Sequence, residues 1–78
     1  MNVWVQRAVD HLSPRIGRMT ALNTVRLAAS KIGLDPEQVT REDLPAIAQN
    51  ISTVLRVFVG ADAAAQLEAE IAALGEDA

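Results

Sequence analysis

The stretch LPAIAQNISTVLRVFVG, Leu44–Gly60, narrows what this chain can become more than any other. Leu44, Ile47, Ile51, Val54 and Phe58 follow one another at spacings of 3, 4, 3 and 4, and Ala48 and Leu55 widen the stripe. A strand would alternate every second residue; this period is that of an amphipathic helix with one apolar face. The stretch also holds the only Phe and the densest run of branched aliphatics, so it reads as the central helix of an all-α core. Val57 and Val59 fall off the stripe. The end of the helix is therefore apolar over most of its circumference, and such a helix is buried on several sides or supplies an interface.

Seventy-eight residues make one domain, 1–78. A chain this short buries only ~60% of the surface its unfolded form exposes. It has no Cys, so neither a disulfide nor a thiolate site adds stability. Self-association is then the readiest source of further apolar burial. Nothing resembles a signal peptide, because Gln6, Arg7 and Asp10 follow the apolar Met1–Val5 at once. No apolar run approaches the ~20 residues of a membrane span. A soluble, cytoplasmic protein is expected.

The net charge of −3 is unevenly spread. Residues 1–34 carry Arg7, Arg15, Arg18, Arg26 and Lys31 against Asp10 alone, a balance of +4. Residues 35–78 carry Arg41 and Arg56 against nine acids, a balance of −7. Such asymmetry serves an anionic partner or a complementary copy of the chain, or simply solvates two exposed faces.

The expected fold is a small compact bundle of about four helices, near 3–12, 14 or 21 to 32, 42–59 and 62–74. Asn2 caps the first, which buries Val5, Ala8, Val9 and Leu12 and ends at Ser13-Pro14. Residues 1–13 are the candidate for a loosely packed N-terminal helix. The second helix is clean from Ala21, with Thr20 as N-cap. Starting it at Pro14 sets Arg18 on the face of Leu22, Val25, Ala29 and Ile32. Gly33 suits its C-terminal cap. Asp35–Gln38 reads as a cap and one turn, with Val39 pointing inward. Thr40–Asp43 reads as a capping box with Asp in place of Glu, and Pro45 is tolerated only in the first turn of the central helix. Asp62 caps the last helix, whose inner stripe is Ala64, Leu67, Ile71 and Leu74. Gly75 ends it, and residues 76–78 are expected to fray.

Within LAASKIGLDPEQVTRED, Ala29, Gly33 and Val39 fall at the small, Gly and apolar positions of a helix-turn-helix, with Ile32 and Leu34 apolar between them. In outline these 17 residues resemble that family. The resemblance implies nucleic-acid binding, with Arg15, Arg18, Arg26, Lys31 and Arg41 as the phosphate-facing cations. The segment departs from the family at Glu42, where an inward aliphatic belongs. It departs again in the acids Glu37, Glu42 and Asp43, and at Pro45, where the family's helix continues. A Gly-capped helix, a turn and a second capped helix describe the same residues without DNA.

No residue pattern points to catalysis, a metal or a cofactor. His11 is the only His, with no ligand-type residue at metal spacing, and reads as a partner for a helix dipole. Ser13, Ser30 and Ser52 have no local base, Glu68 and Glu70 read as helix-surface acids, and the four glycines are isolated. The favoured reading is a protein–protein interaction domain of adaptor, regulatory or assembly type. It pairs with itself as a homodimer through Val54, Val57, Phe58 and Val59. Nucleic-acid binding through the basic first half is the alternative.

Overall fold

The computed structural model describes residues 2–77. It has four α-helices: α1 (Val3–Ile16), α2 (Arg18–Lys31), α3 (Leu44–Val59) and α4 (Ala61–Ala72). Single 3₁₀ turns at Pro36–Gln38 and Arg41–Asp43 connect α2 to α3, and a third at Leu74–Asp77 follows α4. The expected all-α bundle is what forms. Ala78, at the end of the segment expected to fray, lies outside the described residues.

The helices come as two pairs, α1 with α2 and α3 with α4, each joined through one glycine. Gly17 has φ 85° and ψ 155°, and Gly60 has φ 87° and ψ 168°. Residues with a Cβ hardly ever occupy that region, so one glycine both ends a helix and redirects the chain into the next. The first joint corrects two sequence-based boundaries. Helix α1 runs through Ser13-Pro14, and α2 starts at Arg18 rather than at Pro14 or Ala21. Pro14 sits in the last turn, where its missing N–H forfeits one terminal bond. The Ser13 hydroxyl donates to the Val9 carbonyl at 2.7 Å, and the Gly17 N–H donates to Ser13 at 2.9 Å to close the helix. Arg18, freed from the inner face, points outward to Asp10 at 3.3 Å.

The long connection is built as its residues suggest. The Leu34 N–H reaches the Ala29 carbonyl and the Gly33 N–H reaches Ser30, at 3.0 Å each. This is the Schellman closure that a left-handed residue permits, and Gly33 has φ 79°. Asp35 with Gln38 and Thr40 with Asp43 form reciprocal capping boxes. Val39 between them is buried. Asp62 does not cap α4: Gly60 holds that place, and Asp62 lies in the first turn, where its charge favours the helix dipole.

One core unites the helices. It comprises Val5, Ala8, Val9 and Leu12 of α1 and Ala21, Val25, Ala28 and Ala29 of α2. Ile47, Ala48, Ile51 and Leu55 of α3 join Ala64, Leu67 and Ile71 of α4. The first helix, the candidate for loose attachment, thus gives four residues to that core. Asn2 ties α1 down at its start: its Oδ1 accepts from the Trp4 and Val5 N–H groups, and its Nδ2 donates to the Val39 carbonyl at 2.8 Å. Trp4 is half-buried against the core, as its apolar neighbours suggest, and the Arg7 guanidinium lies 4.9 Å from its ring centre. The total accessible surface is 4368 Å², close to the ~4,600 Å² expected of a monomer of this mass. The fold closes on itself without borrowed surface.

Candidate protein-interaction surface

The apolar stripe of α3 begins buried and ends in solvent. Leu44, Ile47, Ile51 and Leu55 are at most 1% exposed, and Val54 is half-buried. Phe58, on the same stripe, is 55% exposed. Its neighbour Val57 is 84% exposed. Val59 is half-buried and packs on the core.

This redistributes the residues expected at the contact. The expectation set Phe58 inside with Val54 and left Val57 and Val59 over; instead the last residue before the glycine turns inward and Phe58 is pushed out. Residues three and four apart on a helix are surface neighbours. Val54, Val57 and Phe58 therefore make one apolar triangle at the end of α3, and Val59 lies around the helix from it.

The rest of the α3 surface is unusual for what it lacks. Its exposed and half-exposed positions are Pro45, Ala46, Gln49, Asn50, Thr53, Val54, Arg56, Val57, Phe58 and Val59. Arg56 is the only charge among sixteen residues. Counted the same way, the other helices carry Arg7, Asp10 and Arg15 on α1, Arg18, Arg26 and Lys31 on α2, and Asp62, Glu68 and Glu70 on α4. Depletion of charge around exposed aromatic and aliphatic residues distinguishes the centre of an interface from ordinary surface.

The basic candidates do not assemble as a single helix over 14–32 would arrange them. The break at Gly17 leaves Arg15 on α1 and sends Arg18, Arg26 and Lys31 along α2. Arg18 is paired with Asp10. The Arg41 side chain lies over Gly75, whose missing Cβ makes room for it. Where the helix-turn-helix resemblance needs a recognition helix there are two 3₁₀ turns separated by extended Val39 and Thr40. Ala29, Gly33 and Val39 serve a helix cap and a core contact instead.

His11 makes a contact that the sequence did not announce. Its Nε2 lies 2.7 Å from Glu70 Oε1 and, carrying its proton, donates across from α1 to α4. This hydrogen bond, then that from Gln66, holds the Glu70 carboxyl below its ordinary value, with Arg15 adding a smaller attraction. His11 is thus mid-helix with a partner 59 residues away, not a terminal group facing a dipole. An open pocket of about 450 Å³ lies at the opposite end of α3, beside Pro45. Its lining mixes Arg41 with Glu42 and Glu76, which selects no ligand charge.

Among the described residues no helix is long and apolar enough to cross a membrane. Comparison with family models, with curated proteins and with solved structures finds nothing that matches this chain.

Proposed function

We propose that this protein is a small helical interaction domain of adaptor, regulatory or assembly type, and that it binds a second copy of itself through the end of α3. One observation carries the reading: Val57 and Phe58 stand in solvent at the end of a helix with a single charge. Exposed large apolar side chains grouped in a charge-poor surface mark contact sites. The role is one of binding rather than catalysis, in a cytoplasmic setting. Because the monomer already closes around its own core, the pair is one of folded monomers and not an obligate dimer.

Light scattering over a range of protein concentrations tests this. The expected result is a mass that rises from monomer toward dimer as concentration increases. It should persist or strengthen with added salt, since two copies of net charge −3 repel weakly. A monomer at every concentration ends the self-association reading. Affinity for duplex DNA that falls steeply with salt would replace it with the nucleic-acid alternative.

A further inference from the structure

The outer side of α3 carries a second periodic line besides the core stripe. Ala46, Asn50, Thr53 and Val57 follow at spacings of 4, 3 and 4 and are exposed or half-exposed throughout. On a helix these positions form one seam, and Val54 and Phe58 border it along one edge. None of the six is charged. The Asn50 Nδ2 donates back to the Ala46 carbonyl at 3.0 Å, which leaves the amide oxygen to accept from a partner.

Resting on the self-association reading, the geometry points to a specific pairing: α3 docks antiparallel on α3 of a second copy along this seam, with the two-fold axis at the helix midpoint. The midpoint of Leu44–Val59 falls between Ile51 and Ser52, and so does the midpoint of the seam. Antiparallel docking about that point overlaps both helices for their whole length, ~24 Å. It brings Ala46 opposite the Val57 of the other copy, small against large. It also brings Asn50 opposite Thr53, amide oxygen against hydroxyl. A two-fold contact repeats each pair twice.

Charge selects the same arrangement. A parallel pair would set the Arg56 side chains of the two copies level with each other. The antiparallel pair moves them nine residues apart along the axis, ~14 Å, beyond the ~8 Å screening length. It also opposes the two helix dipoles. The seam is free of carboxylates, so two net-negative chains approach through it without opposing like charges. A single helix-on-helix contact belongs to the small interfaces, under ~1,200 Å² in total, typical of transient pairs. The dimer should therefore come apart on dilution.

Since the chain has no Cys, disulfide trapping reads the register directly. Ala46→Cys and Val57→Cys change exposed positions and leave the core intact, which circular dichroism verifies. Each variant alone, and an equal mixture, is oxidised with copper–phenanthroline and run on a non-reducing gel. The expected result is a cross-linked dimer in the mixture and none in either variant alone. Cross-linking of Ala46→Cys with itself would overturn the antiparallel register in favour of a parallel one. No cross-link anywhere, with a dimer mass for the unsubstituted protein by light scattering, would overturn the seam and leave self-association standing. No cross-link together with a monomer mass would end both.

Discussion

The two helix pairs share one joint and differ in what they show to solvent. At the first, Gly17 donates to the carbonyl four residues back at 2.9 Å and accepts from Ala21 at 2.9 Å; at the second, Gly60 does the same with Arg56 and Ala64 at 3.2 and 3.0 Å. Aligned on these glycines, Ile16 and Val59 correspond, and both pack half-buried on the core. One step earlier Arg15 corresponds to Phe58, and before that Pro14 to Val57, all four exposed. The same backbone thus presents a cation in one place and an unpartnered aromatic in the other. Geometry accounts for the exposure of Phe58; it does not account for the residue being Phe. A purely structural demand would be met by Arg there, as it is at position 15.

Substitutions that strike the shared part of the comparison should have the largest effects, and should affect the pairs alike. Leu12→Ala in α1 and Leu55→Ala in α3 each empty a fully buried site, and each should lower stability by about 2–5 kcal/mol in urea denaturation. Negligible loss at Leu12 would show that the first pair is not part of the cooperative core. Gly17→Ala and Gly60→Ala come next, at about 1–3 kcal/mol each. Neither glycine has an atom within 4 Å of where a Cβ would stand, so the penalty is backbone strain alone. If one were tolerated freely, the two joints would not be equivalent.

The joint also explains how far the sequence could be read. Periodicity and local chemistry reveal four helices, the caps at Asn2, Asp35 and Thr40, and the inward Val39, because each depends on neighbours within a few residues. Pro14 is the stronger breaker by local rules, yet Gly17 makes the break; the helix runs past Pro14 at the cost of the bond to the Asp10 carbonyl, and only tertiary packing decides between the two. The stripe placed Phe58 inward because periodicity does not know where the covering helices stop. The His11–Glu70 contact joins residues far apart in sequence, and no spacing rule reaches it. The contact surface was legible as a region, Val54–Val59, but its division into an outward Val57 and Phe58 and an inward Val59 was not.

Smaller effects should separate those last residues. Val59→Glu puts a charge against the core and should destabilise the monomer by about 1–3 kcal/mol. Val57→Glu, at a position 84% exposed, should change monomer stability by no more than about 0.5 kcal/mol. Equal losses for the two would mean that Val57 is also needed for folding.

The smallest effect expected is the pH response of the α1–α4 link. The Glu70 carboxyl is held below its ordinary value of 4.5, so its contribution is complete above that pH. It is lost as the pH falls through the lowered folded-state value. His11→Gln and Glu70→Gln should each lower the neutral plateau slightly, leave stability in strong acid unchanged, and so flatten the acid side of a stability–pH curve. A variant that kept the full acid slope would assign it to other carboxylates.

The central claim is that the end of α3 is a contact surface and the matching end of α1 is not. Sedimentation equilibrium on the unsubstituted protein, Phe58→Glu and Arg15→Glu, over one concentration series, tests it most directly. The expected result is reversible dimerisation for the unsubstituted chain and for Arg15→Glu, and a monomer for Phe58→Glu whose denaturation midpoint matches that of the unsubstituted chain at concentrations where both are monomeric. A monomer for all three, or a dimer that survives Phe58→Glu, would contradict it.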